Sequence, residues 1–272
     1  MKTFLLLLAA LPLMTYGQQT PVLDIEGGKV QGVNAEKEGV TVYRGIPYAA
    51  APIKDLRWKA PQPVKAWSGV YKADKFGHPG YQAVHYPGGY TTEWGYGDES
   101  PYSEDCLYLN VWTKAPGDVN KKLPVALWIH GGGYREGWGS EPEFDGQEWA
   151  NKDVVLVSIN YRLGFRVNSK AIQRTAYQAT QDAHAAMRYL LSKQDIYRID
   201  PDYLFVGGAS AGSITALNLA YMRNENRPEA TFGSFFMGDL GDIETSGNDF
   251  KEDFEVKAVA NLWGSVYDLE IL

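Results

Sequence analysis

A single cysteine, Cys106, is all the chain offers for cross-linking, so it forms no internal disulfide and its stability has to come from core packing. Histidine is scarce too: His78, His85, His130 and His184 are the whole set, and none follows residue 184. No apolar run approaches the ~20 residues of a bilayer span. The formal net charge is −7 with acidic and basic residues interspersed, so the basic patch of a nucleic-acid binder is missing. There is no internal repeat and no linker-like tract, which argues for one domain. His130, His184 and the nearby acids show no metal-ligand spacing, and no metal or organic cofactor is implied.

What is present begins with a leader pattern. Lys2 supplies a positive start, Phe4 to Met14 is a short apolar run broken by Pro12, and Thr15-Tyr16-Gly17 offers a cleavage site before Gln18. Residues 1–17 are therefore expected to be a removable signal peptide, which implies a secreted or periplasmic protein. Residues 18–272 are expected to form one α/β domain.

Residues 22–44 read as short strands and turns, and residues 45–80, rich in Pro and Gly, as an irregular wrap over the core. Residues 81–102 hold Tyr86, Tyr90, Trp94 and Tyr96 with no clear period. Such a loop forms either a cleft wall or a segment packed on its own rings. After it the pattern becomes regular. Apolar runs at Leu107–Thr113, Val125–Ile129, Val154–Ile159, Tyr203–Val206 and Val256–Trp263 suit strands buried on both faces. Thr175–Leu191 and Ser213–Met222 carry apolar residues at spacings of three and four, as amphipathic helices do. Strands alternating with helices predict a mostly parallel, twisted sheet with helices on both faces. Cys106 alternates with large apolar residues in the first of these strands and reads as an inert half-buried thiol rather than a nucleophile.

Two motifs carry chemistry. Gly208-Ala209-Ser210-Ala211-Gly212 fits G-x-S-x-G between an apolar strand and an Ala/Leu-rich helix. A strand-to-helix elbow there would project Ser210 Oγ above the strand ends, at the positive end of the helix. The plainer reading makes Ser210 a helix N-cap. His130-Gly131-Gly132-Gly133-Tyr134 is the second motif. Acyl transfer develops negative charge on a carbonyl oxygen, and backbone N–H groups must be aimed at it. The amides of Gly132, Gly133 and Ala211 are the candidate donors. His130 lies upstream of the serine, whereas the triad on this kind of fold runs serine, acid, histidine, so His130 is expected to be structural.

Taken together, the blocks resemble the type-B carboxylesterase and cholinesterase-like family of α/β-hydrolases. The similarity runs through Arg44–Ala49, Leu56–Pro61, Ser103–Val111, His130–Tyr134, Asn160–Gly164 and Gly208–Gly212, in the family's order. The segment from Asp182 to Leu190 is also similar to shorter bacterial esterases related to hormone-sensitive lipase. The resemblance implies a carboxylic-ester hydrolase with Ser210 as nucleophile and a small-molecule ester as substrate. It further implies an ion pair between Arg44 and Glu104. Family members usually pair the cysteine of the Cys106 block with one upstream, and here Gly80 stands at that place. The family's acid and histidine follow the second and third strands after the elbow. Val256–Trp263 is the first, and each further βα unit takes ~30 residues. The expectation is a fold cut after that strand, lacking acid and base and showing little or no esterase activity. The alternative is a non-catalytic binding or adhesion protein on the same scaffold. Oligomeric state is left open by the sequence.

Overall fold

The computed structural model describes residues 20–82, 102–116, 120–140, 146–164, 168–235, 237–244 and 253–265. The leader pattern, most of the aromatic loop, His85 and Asp268 lie outside the described residues.

Among the described residues, ten strands form two sheets. The smaller joins β1 (Val22–Ile25), β2 (Gly28–Gln31) and β5 (Val70–Lys72) in the order β1-β2-β5. β5 lies within the stretch expected to be irregular. Its three residues are too few for alternation to show, and only pairing with β2 makes them a strand.

The larger sheet contains β3 (Val33–Asn34), β4 (Thr41–Pro47), β6 (Tyr108–Thr113), β7 (Leu123–Ile129), β8 (Val155–Ile159), β9 (Ile199–Ala209) and β10 (Val256–Leu262). Their order across the sheet is β10-β9-β7-β8-β6-β4-β3. β10, β9, β7 and β8 run parallel, and β6, β4 and β3 join antiparallel. The sheet is thus mixed, and its parallel half carries the site.

Alternation along the strands divides the core. Tyr43, Val111 and Val157 are mutual partners across β4, β6 and β8, and all three belong to the main hydrophobic cluster. Val42, Trp112 and Leu156, one position away on each strand, point to the opposite face and pack with Ala150 of α1 (Gly146–Asn151). A period of two sends neighbours to opposite sides, so a sheet with apolar residues at every position needs cover on both.

The long helix α2 (Ser169–Ser192) starts six residues earlier than the apolar stripe suggests, because the Asn168 side chain accepts a bond from Ala171 N at 2.9 Å and caps it. From Arg174 to Leu191 every residue of α2 is buried, including Arg174, Gln178, Gln181, Asp182 and Arg188. Composition would assign those side chains to solvent. Arg174, Gln181 and Arg188 are covered because they bind backbone carbonyls of the segment at residues 230–244, Arg174 those of Ala230 and Gly238, Gln181 that of Leu240 and Arg188 that of Glu244, while Gln178 donates to Trp58 O and Asp182 accepts from Arg162. A short helix α3 (Gln194–Tyr197) leads into β9, and α4 (Ala211–Tyr221) leaves it. No helix of the described residues is long and apolar enough to cross a membrane.

From β7 the chain moves through α1 to β8 on one side, then crosses back to β9 on the other side of β7. The connections leaving β7 and β9 therefore diverge, and such switch points open a crevice at the carboxyl ends of the strands. Here the two turns at that crevice are His130–Gly133 and Ala209–Gly212, held side by side by the pairing of Ile129 with Gly208.

Candidate active site

Ser210 adopts φ 51° and ψ −115°, a left-handed conformation that side chains seldom take. Strain of this kind persists only where the surroundings dictate it. They do so through close approach. A Cβ at Gly212 would fall on the carbonyl oxygen of Ile129, and one at Gly208 would lie 2.6 Å from the same oxygen. The two glycines let α4 start directly against the end of β7. Ser210 N donates to Leu262 O of β10 at 2.8 Å. Ser213 Oγ lies 2.9 Å from Leu262 O and accepts from Leu262 N at 2.8 Å, fixing the first turn of α4 on β10. Ser210 occupies the N-cap position of α4, as the plainer reading has it, but its side chain makes no capping bond. The residue is exposed, and its hydroxyl has no hydrogen-bond partner among the described residues.

The glycine turn lies alongside. Gly132 and Gly133 have φ of +92° and +60°, and a Cβ at Gly132 would collide with Glu136 O. Any other residue would therefore reshape the turn. A Cβ at Gly131 would be 3.0 Å from Ala209 O and 3.7 Å from Ser210 Cβ, so this turn and the elbow touch. The N–H groups of Gly132, Gly133 and Ala211 have no acceptor among the described residues. All three candidate donors and Ser210 are thus brought to one place.

His130 is buried beneath this turn, as expected of a structural residue. Its ring stacks on Tyr161, with centroids 4.2 Å apart and planes 12° from parallel. Burial depresses its pKa to about 4, against a small opposing effect of the Gly131 contact. His184 is also buried: its ring packs on Phe254 and its Nε2 has no partner among the described residues. Burial first, then the charges of Arg188 and Arg223, lower its pKa to about 3. Of the acids after the serine, Asp239 binds Arg227 at 2.5 Å and is held below its usual pKa by that contact. No described histidine touches Ser210 Oγ or Asp239.

Cys106 is buried and free, and burial pushes its thiol pKa up. A Cβ at Gly80 would lie 3.8 Å from Cys106 Sγ, so Gly80 does face the thiol. The implied Arg44–Glu104 pair is not formed. Arg44 lies over the Phe76 ring at 5.2 Å, reaching Asp74 O, because its backbone bonds to Ala73 turn it toward that strand. Glu104 is taken instead by Arg57, with Nε at 2.5 Å and a second bond of 2.6 Å.

Two neighbours of the site carried no role at the level of sequence. Tyr161 donates its hydroxyl to the carbonyls of both His130 and Gly131. Arg162, next along the chain, is buried against Asp182 of α2 with Nε 2.9 Å from both carboxylate oxygens and its own N–H 2.8 Å from Oδ2. Burial raises the Asp182 pKa, and Arg162 opposes that rise. An aspartate amid the alanines of α2 was the available sign of a buried partner. Clefts of about 580 and 770 Å³ border α2 elsewhere and do not include Ser210.

Comparison with known proteins gives the family. The model of the carboxylesterase family matches residues 19–225. The para-nitrobenzyl esterase of Bacillus subtilis is 35% identical over 206 residues, which cover 74% of this chain and 40% of that protein. Mouse cholinesterase is 32% identical over 224 residues, covering 78% of this chain and 37% of its own length. Among solved structures, a Geobacillus stearothermophilus carboxylesterase matches with a TM-score of 0.58 and 36% identity over 72% of this chain and 40% of that one. The chain thus spans about 40% of the length of these relatives. With the α/β-hydrolase sheet, the serine elbow and the glycine turn all in place, the chain belongs to the carboxylesterase family.

Proposed function

We propose that the chain carries the nucleophile and oxyanion half of a carboxylic-ester hydrolase acting on a small-molecule ester. The left-handed Ser210, exposed on a strand-to-helix turn against a glycine turn with uncommitted amides, supports this reading above all else. Ser210 Oγ would attack the ester carbonyl while the N–H groups of Gly132, Gly133 and Ala211 receive the developing oxyanion. Water would then release the acyl enzyme. The nucleophile needs a base, and His130 and His184 are both committed elsewhere by burial and packing. In the full reaction an acid and a histidine from outside these residues would complete the triad. The 272 residues alone should turn over a p-nitrophenyl ester slowly or not at all, since loss of a triad member costs several orders of magnitude. The apolar run at Phe4–Met14 supports export, with a secreted or periplasmic product.

The test is covalent. A fluorophosphonate incubated with a protein lengthened past residue 272 to carry the acid and the histidine should add one adduct, located at Ser210 by peptide mapping and lost in Ser210→Ala. Labelling at other serines only, or none, would sink the hydrolase reading and favour a binding protein on the same scaffold.

A further inference from the structure

The glycine turn has to present its amides in one orientation, and a glycine-rich backbone does not do so unaided. Beneath it, the Tyr161 hydroxyl lies 2.9 Å from His130 O and 3.0 Å from Gly131 O. His130 Nδ1 is 2.9 Å from the same Gly131 oxygen. A carbonyl only accepts, so Nδ1 must carry the ring proton and Nε2 must be bare. The depressed pKa leaves this imidazole neutral at physiological pH. Gly131 O is thus held by His130 Nδ1–H and by the single Tyr161 hydroxyl proton that it shares with His130 O, from two rings stacked on each other. The Gly131–Gly132 peptide is trans, so its N–H points to the opposite side from its C=O. Gripping the carbonyl therefore aims the Gly132 N–H away from Tyr161, on a turn that touches Ser210 Cβ's surroundings.

We propose that Tyr161, backed by the Nδ1–H tautomer of His130, is a positioning residue that sets the direction of the Gly132 oxyanion donor. The inference rests on the ester-hydrolase reading and names a determinant of the same site. Neither side chain touches the substrate. Each acts through one peptide plane, and the contribution belongs to the transition state, where charge appears on the oxyanion.

The experiment introduces Tyr161→Phe into the same lengthened protein, which carries the acid and the histidine, and compares it with that parent in fluorophosphonate labelling of Ser210, separating the maximal labelling rate from the half-saturating concentration. Phe keeps the buried ring and removes only the hydroxyl. The maximal rate should fall about tenfold, short of the hundred- to thousandfold loss caused by deleting a whole oxyanion donor. The half-saturating concentration should stay within about twofold, as expected of an interaction realised only in the transition state. Equal maximal rates in the two proteins would overturn this inference and leave the hydrolase reading intact. Failure of the parent to label at Ser210 would overturn both. Should Tyr161→Phe not fold, nitrogen NMR of His130 in the parent decides the matter. Protonation at Nδ1 sustains the clamp, and protonation at Nε2 overturns it.

Discussion

His130 and His184 set a pH dependence that belongs to single residues. Each has a folded-state pKa depressed by burial, to about 4 and about 3, below the ~6.5 of a solvated imidazole. The unfolded chain then binds protons that the folded one refuses, so stability is full above pH ~6.5 and is lost as pH falls toward 4. The slope should be about 1.4 kcal/mol per pH unit for each imidazole. Replacing His184, whose Nε2 lacks a partner among the described residues, with Leu removes one of these linkages. Between pH 7 and 5 the urea midpoint of the parent should fall more steeply than that of His184→Leu. Parallel curves would show that folding does not depress the His184 pKa. At this scale the sequence supplied the identity of His130 as a structural residue, since its place before the serine excluded the usual base. It did not supply Tyr161, because a hydroxyl that grips two carbonyls leaves no periodicity or spacing to read.

The elements at the site are held by close approach rather than by side-chain volume. α4 begins against β7 because Gly212 has no Cβ, and a methyl there would overlap Ile129 O and lie 2.5 Å from His130 O. Both obstacles are backbone, so neither yields. Gly212→Ala should lower stability by about 3 kcal/mol or prevent folding, at the severe end of single substitutions. Thermal and urea unfolding would measure this, and a change under about 1 kcal/mol would mean that helix and strand can separate at little cost. Element type was legible for β6 to β10 and for α2 and α4, whose apolar runs are long enough to show a period. β5 was not legible, and neither was the full burial of α2. Three residues hold no pattern, and a polar stripe that binds carbonyls has the composition of a solvated face.

For the whole molecule, the exposed flank is β10. It is the end strand of the larger sheet, bonded to β9 on one side and to no other strand among the described residues. Ala258 and Ala260 are exposed on it, and Trp263 just beyond is 81% exposed. Unpaired strand edges with apolar side chains promote association between copies. The 272-residue protein should therefore associate with rising concentration in sedimentation velocity, and Ala258→Lys should shift it toward monomer. A protein that stays monomeric at high concentration without the substitution would show that this edge is covered. The coverage of about 40% of the relatives' length fits a sheet whose family continues past this strand.

The sequence by itself determined the local form of each part. Gly-x-Ser-x-Gly after an apolar strand prescribes an elbow, and three glycines after another prescribe a turn free of side chains. These are local properties, written in neighbouring residues. Tertiary structure alone decided which parts meet. Ile129 and Gly208 are far apart in sequence, and only their pairing across β7 and β9 sets the glycine turn beside Ser210. The same holds for Glu104, which joins Arg57 rather than Arg44, and for the grip of Tyr161 on Gly131. A charge or a hydroxyl states what it can bind, but its partner is chosen by the packing that brings distant backbone within reach.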